Sequence, residues 1–203
     1  LRSAAAVPGC TALAARRRSC HLLFSGLYDD TMSRRGGESS VKRLRHEAEV
    51  ALRRSRSRNE VEPLLERLED AAEQGSEPWL FAHRHLAELR LESHPWRAAL
   101  HLRQVLTMEK DDDVVYALLG LCHALLGNYR SAVSAYRKAL SLSPRNPWYH
   151  HNLGHLLDVA LGQPALSEEH LRTANRMEPD EDEITASLAH CIARLDKLDE
   201  ARE

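Results

Sequence analysis

The stretch DVVYALLGLCHALLGNYRSAVSAYRKALSLSPRN, residues 113–146, decides the fold of this 203-residue chain. Apolar residues recur at helical spacing on both sides of Gly127-Asn128, two residues that tolerate the left-handed backbone that ends a helix. Ser143-Pro144 closes the second run, because proline has no amide hydrogen to donate. The stretch therefore predicts a helix, a tight turn, a second helix and a proline stop.

Small residues in this unit stand where the two helix backbones would meet. Gly120 belongs to the first helix, and Ala132 and Ala139 belong to the second. Because these residues lack bulk, the two backbones can approach closely while larger neighbours fill the space beside them. The larger neighbours are Tyr116, Leu119 and Tyr136.

The same unit is repeated further along the chain. Leu153-Gly154 follows Leu119-Gly120 by 34 residues, and Pro179 follows Pro144 by 35. A fixed period of this length indicates tandem copies of one helix pair, which must stack to bury their apolar faces. The second copy spans residues 147–180, and we interpret its one extra residue, near 161–164, as a slightly longer turn.

These positions resemble the tetratricopeptide repeat family. The first copy carries the resemblance at Tyr116, Leu119, Gly120, Ala132, Tyr136, Ala139 and Pro144, and His123 departs from the tyrosine that is usual there. The second copy carries it at Leu153, Gly154, Ala174 and Pro179. The resemblance implies an all-α fold, a right-handed superhelical solenoid of antiparallel helix-turn-helix repeats.

The repeats are expected to occupy only part of the chain. Residues 78–203 predict an array of about three and a half repeats, which starts near Trp79 and is cut off inside its last hairpin, so we expect truncation at the C-terminus. Residues 38–77 predict an N-terminal helical hairpin, either a cap or a diverged repeat. Its second helix is expected to run from an N-cap at Asn59 to Gly75-Ser76.

Residues 1–37 predict a leader or a disordered segment. They are rich in Ala, Arg and Ser, and no acidic residue precedes Asp29. One interpretation is a mitochondrial transit peptide, and the other is upstream translated sequence with Met32 as the true start. We expect a cytoplasmic protein on the second interpretation and a mitochondrial one on the first.

Charge and composition argue against several function classes. The net charge is −2 and no apolar run approaches the length of about 18 residues that a membrane span needs, so no membrane span and no nucleic-acid partner are expected.

The first N-terminal helix is rich in arginine and the second in glutamate. These charges form either a patch for polyanions or two neighbouring helices that neutralise each other, and the lack of interleaved aromatics favours neutralisation. The arginines are Arg43, Arg45, Arg53, Arg54 and Arg56.

The family resemblance also implies a concave groove lined by the first helix of each repeat. Trp148 and Leu121 are expected to be its apolar anchors. We therefore expect a protein–protein interaction module, a scaffold or adaptor that binds a peptide segment of a partner. The alternatives are an assembly subunit that stacks through its open repeat ends, or a weak binder of nucleic acid or anionic surfaces through the basic helix. The predicted groove residues are Leu80, His83, Arg90, Leu121, Trp148, His151, Asn152, His155, Asp158 and His190.

The histidines are the only residues that suggest chemistry. His151 and His155 leave one helix face with Asp158 a turn further, an arrangement that zinc accepts, but tandem repeats also place similar residues at similar heights. We therefore expect no metal and no cofactor. The groove histidines would make its charge respond to pH near 6.5. The sequence has no phosphate-binding glycine loop, nucleophile elbow or Cys-x-x-Cys pair, so no enzymatic activity is expected.

Overall fold

The computed structural model describes residues 37–54 and 57–195. Three predictions fall outside these residues: the leader with Met32, the contribution of Arg56, and the incomplete last helix after residue 195. The described residues form nine α-helices. They are α1 (Gly37–Arg54), α2 (Arg58–Ala71), α3 (Glu77–Arg90), α4 (Pro95–Met108), α5 (Asp113–Leu125), α6 (Tyr129–Leu142), α7 (Pro147–His155), α8 (Pro164–Met177) and α9 (Asp182–Arg194).

The helices belong to two compact units, residues 37–111 and residues 112–195 of the described chain. In the first unit α1 packs on α2, α2 on α3, and α3 on α4. In the second unit α5 pairs with α6 and α7 with α8, while α9 packs on α8. Short turns join the paired helices, so each pair is an antiparallel hairpin. The all-α architecture of helix-turn-helix repeats is confirmed.

The repeat boundaries follow the caps that the sequence provides. The side chain of Asp112 accepts a hydrogen bond from the Val115 amide at 2.9 Å and so caps α5. Asn146 caps α7 in the same way, since its side chain accepts from the Trp148 amide at 3.0 Å. Both caps satisfy amides that have no partner within their helix. The hydroxyl of Tyr149 donates to Asp113 at 3.0 Å and ties the starts of α5 and α7 together.

The two repeat glycines lie where paired helices touch. A methyl group on Gly120 would lie 3.0 Å from Cζ of Tyr136 on α6. A methyl group on Gly154 would lie 2.8 Å from Cγ of Leu171 on α8. Both of these large side chains are almost fully buried. In each hairpin, a glycine of the first helix therefore packs against a large residue of the second helix.

The extra residue of the second repeat is not in the turn. Both turns consist of three residues with a left-handed glycine in the middle, Gly127 at φ 74° and Gly162 at φ 64°. The extra residue instead widens the end of the first helix into a π-helical turn, Leu156–Ala160, which continues α7. The prediction of a longer turn was wrong, because the helix accommodated the insertion as a π-bulge and left the turn geometry unchanged.

The N-terminal hairpin departs from its predicted boundaries. Ser57, rather than Asn59, occupies the N-cap of α2, and Asn59 lies inside the helix. The helix ends at Ala71, before Gly75, which takes a left-handed φ of 80° in the connecting turn. Ser76 precedes α3 as its N-cap. The turn residues were recognised correctly, but the chain leaves the helix one turn earlier than Gly75-Ser76 indicates.

Replacing Gly154 with alanine should destabilise the second unit. Alanine favours a helix over glycine by about 1 kcal/mol. The new methyl group would nevertheless lie 2.8 Å from Leu171, which is fully buried and has little room to move. We expect the free energy of unfolding in urea to fall by about 1–3 kcal/mol. Ser134→Ala, at an exposed position on α6, is the matched control, and a Gly154→Ala protein as stable as wild type would contradict this contact.

Candidate functional site

The first-helix face of the second unit is formed by α7 and α9. On α7, Trp148 is partly exposed and contacts the ring of His151 edge-on, with centroids 5.8 Å apart. His151 itself is only 1% exposed, and its Nε2 atom lies 3.0 Å from the hydroxyl of Ser187 on α9. The same hydroxyl lies 3.4 Å from Nδ1 of His155. The face therefore combines an accessible indole with histidines that hold α7 against α9.

Asp158 lies in the π-helical turn and is 1% exposed. Arg194 of α9 donates to its carboxylate at 2.6 Å and to its backbone carbonyl at 2.7 Å. His190 lies 2.9 Å from the other carboxylate oxygen. Two residues predicted to line the groove, Asp158 and His190, thus contact each other. This buried, paired carboxylate ties the π-helical turn to α9, because a buried charge requires such partners.

Asn152 follows His151 on α7 and contributes an amide donor to this face. Its Nδ2 atom is buried and makes no hydrogen bond of normal geometry. A buried donor without an acceptor destabilises a protein by about 1–3 kcal/mol.

The apolar anchors differ in accessibility. Leu121 on α5 is 2% exposed, whereas Trp148 is partly exposed. Leu121 is therefore part of the hydrophobic core, because packed neighbours cover its side chain on all sides. Trp148 is accessible to a partner. Leu80, on α3 of the first unit, is also partly exposed.

His83 and Arg90, the other predicted groove residues of α3, are buried within the first unit. Arg90 donates to Glu62 at 2.7 Å and also to Glu66, both on α2. Its third contact is Nε2 of His101 on α4, at 2.6 Å. Arg90 therefore connects three helices, and its charge is used inside the unit.

The acidic face of α2 is neutralised differently from the prediction. The hydrogen bond from Arg58 is the largest influence on Glu62 and lowers its pKa to about 2; burial opposes this shift, and the hydrogen bond from Arg90 adds to it. On α1, Arg45 pairs with Glu49 of its own helix at 2.9 Å and with Glu77 at the start of α3. In the described chain, both the glutamates of α2 and Arg45 of α1 thus have charged partners on α3.

Burial changes the expected response of the groove histidines to pH. It lowers the pKa of His83 to about 4. It also lowers the pKa of His151 to about 4, with a further contribution from the neighbouring His155 and an opposing one from Asn152. Both rings are therefore neutral at pH 6 to 7.5. The hypothesis that these two make the charge change near pH 6.5 is wrong, because the ordinary histidine pKa applies only to a solvated ring.

The hypothetical metal ligands on α7 are not assembled as a site. The carboxylate of Asp158 is bound by Arg194 and His190, and the rings of His151 and His155 point to Ser187. In the part of the chain that the structure describes, the three-residue group with suitable donors lies elsewhere, in the first unit.

Similar proteins identify the class to which this helical repeat fold belongs. Residues 120–157 match the family model described as a TPR repeat. A segment of 63 residues is 35% identical to the Protein SGT1 homolog of Bos taurus and covers 31% of this chain and 19% of that protein. The chain thus spans about a fifth of the length of this curated relative.

Solved structures share the fold. MamA from Desulfovibrio magneticus RS-1 matches with a TM-score of 0.72 and 18% identity over 80% of this chain and 89% of that one. PilF of Pseudomonas aeruginosa matches with a TM-score of 0.65 and 18% identity over 83% of this chain and 74% of that one. At this identity the likeness concerns the fold alone.

The hairpin packing and these matches together define an all-helical repeat protein. The chain contains tetratricopeptide repeats, and the resemblance to that family is confirmed. In general, this repeat forms scaffolds for protein–protein interaction. None of the described helices is long and apolar enough to cross a membrane.

His151 should make the stability of the protein depend on pH. Its pKa is lowered from 6.5 to about 4 in the folded protein, so between these values the unfolded chain binds the proton and the folded protein does not. Stability therefore falls as the pH is lowered through this range. We expect wild type to lose about 2 kcal/mol more than His151→Gln between about pH 7 and pH 5.

Urea denaturation at the two pH values measures this difference. His46→Gln is the control, because His46 is exposed on α1, and its pH dependence should follow wild type. Equal losses in wild type and His151→Gln would show that His151 is not held neutral by burial.

Proposed function

We propose that this chain is a non-catalytic adaptor that binds an extended segment of a partner protein along the first-helix face of α7 and α9. The observation that carries the proposal is the side-chain amide of Asn152, whose Nδ2 atom is buried without an acceptor next to the partly exposed indole of Trp148. A peptide carbonyl is the acceptor that every partner segment offers.

Asn152 and Trp148 supply the two kinds of contact that peptide recognition needs. The amide would bind the peptide backbone, which fixes register and is independent of the partner's side chains. The indole offers a large, stiff apolar surface, and aromatic residues of this kind dominate the binding energy of interfaces. Asn152 also occupies a repeat position at which extended members of the family carry an asparagine that faces bound peptide.

Polar contacts between α7, the π-helical turn and α9 hold the residues of this face in place. Ser187 bonds with His151, and Asp158 is clamped by Arg194 and His190, so α7 and α9 are fixed relative to each other. A rigid face reduces the ordering that binding requires and so favours affinity. We therefore assign Trp148, Asn152 and His155 to the contact surface, and His151, Asp158 and His190 to its support.

Trp148→Ala should weaken binding without unfolding the protein. The full-length chain is used as bait in affinity capture from a cell lysate, followed by mass spectrometry and by calorimetric titration of the captured partner. We expect Trp148→Ala to lower the affinity by more than about 1 kcal/mol, because truncation removes an aromatic anchor. Trp96→Ala is the matched control, since Trp96 is 52% exposed but lies on α4 of the first unit.

An unchanged affinity for Trp148→Ala would contradict this location of the binding face. Equal losses for both tryptophan variants would indicate a nonspecific effect of removing exposed indole. Overlapping peptides of the captured partner then show whether a linear segment alone competes, which the proposal requires.

Asn152→Leu should separate function from stability. Leucine has the same number of side-chain heavy atoms and the same branching as asparagine and removes the buried donor, so the free protein should become more stable by up to about 1 kcal/mol. The same change should weaken partner binding, because the acceptor on the peptide loses its donor. Thermal denaturation and calorimetry measure the two effects. A variant that is both less stable and unaltered in binding would show that Asn152 is a structural residue.

A further inference from the structure

The first unit contains a second polar site, unrelated to the α7–α9 face. An open cleft of about 490 Å³ is lined by residues of α2, α3 and α4. Among its lining residues, Glu69 of α2, His83 of α3 and His101 of α4 each place one donor atom within 4.8 Å of the others. No motif spacing connects them in the sequence, so only the packing of the three helices creates this Glu69–His83–His101 cluster.

His83 provides an independent observation. Its side chain is almost fully buried, and its Nε2 atom makes no hydrogen bond of normal geometry. That atom lies 3.4 Å from Oε1 of Glu69, while Nδ1 of His101 lies 3.9 Å from the same oxygen. A buried imidazole nitrogen aimed at a carboxylate without bonding to it is an arrangement that a shared cation would satisfy.

We propose that Glu69, His83 and His101 bind a zinc ion in this cleft. Zinc takes imidazole nitrogen and carboxylate oxygen at about 2.0–2.2 Å, so neighbouring ligand atoms in a tetrahedral site lie about 3.3 Å apart. The observed separations of 3.4 and 3.9 Å are close to this value. Two imidazoles favour zinc over magnesium and calcium, which prefer oxygen ligands.

The state of the two rings suits a metal ligand. Burial lowers the pKa of His83 and of His101 to about 4, and for His101 the neighbouring His83 contributes further. Both imidazoles are therefore neutral at neutral pH, which is the form that binds metal. Burial raises the pKa of the Glu69 carboxyl, with Arg90 opposing, so a bound cation would also stabilise its ionised form.

Arg90 determines what zinc must displace. Its guanidinium can only donate, so His101 presents a lone pair on Nε2 to Arg90 and carries its proton on Nδ1, 2.9 Å from Nδ1 of His83. Zinc at Nδ1 of His101 and Nε2 of His83 replaces the hydrogen bond between the rings. The proton of His101 then moves from Nδ1 to Nε2, and the proton of His83 moves from Nε2 to Nδ1. Arg90 must then release the ring, while it keeps its contacts with Glu62 and Glu66.

Three protein ligands leave one position of a tetrahedral zinc ion for a further ligand. The three residues line an open cleft whose lining also includes Trp96 and Leu100, each 52% exposed. Three protein ligands with a fourth exchangeable position are typical of zinc sites that are accessible to a further ligand. The fourth position would therefore hold water or a group supplied by a bound molecule.

Calorimetric titration of the EDTA-dialysed full-length chain with zinc chloride tests the proposal. We expect one zinc ion per chain in wild type, and a loss of affinity of more than about tenfold in Glu69→Gln and in His101→Gln, since each removes one ligand. His46→Gln removes an exposed histidine on α1 and should bind like wild type. Cobalt gives a second readout, because the visible absorption of tetrahedral Co²⁺ should be lost in the same variants.

Glu69→Gln is the decisive variant, because it alters one atom at a partly exposed position and should leave the circular dichroism spectrum unchanged. If His101→Gln loses its helical circular dichroism signal, the comparison of zinc affinity between Glu69→Gln and His46→Gln still tests the proposal. Absence of stoichiometric zinc binding in wild type overturns the proposal. Equal binding by wild type and Glu69→Gln also overturns it, because the ion would then be held by other histidines.

Discussion

The contact of a glycine with a large side chain across each hairpin is the constraint on which the second unit depends. Gly120 faces Tyr136, and Gly154 faces Leu171, at distances that leave no room for a methyl group. These contacts bring the paired helices close together, and each hairpin packs on the next repeat. Trp148 and Asn152 lie on α7, the first helix of the hairpin that contains Gly154.

Buried polar groups also connect neighbouring helices. The buried carboxylate of Asp158 joins the π-helical turn to α9, and Arg90 joins three helices of the first unit. Such groups carry strong geometric requirements, because each donor and acceptor must be matched when water is excluded. Among the buried polar atoms of the described chain that lack a hydrogen bond of normal geometry are Nδ2 of Asn152 and Nε2 of His83. Both are where we place binding.

Sequence patterns predicted some features of the site and missed others for identifiable reasons. The family resemblance predicted that Trp148 and Asn152 lie on the first-helix face, and residues four apart do share a face of a helix. Periodicity could not show that His151 and Asp158 are covered by α9, since burial depends on the neighbouring repeat. It also could not reveal the cluster of Glu69 with His101, whose members lie on different helices.

The sequence by itself determined the all-α class, the repeat period, the turns at Gly127 and Gly162, and the resemblance to the tetratricopeptide repeat family. These features are local, since they depend on residues within one hairpin. Only the tertiary structure decided where the extra residue of the second repeat is accommodated, which histidines are buried and neutral, and which polar atoms lack partners. Those properties depend on distances between residues far apart in the chain, and the packing of several helices sets such distances.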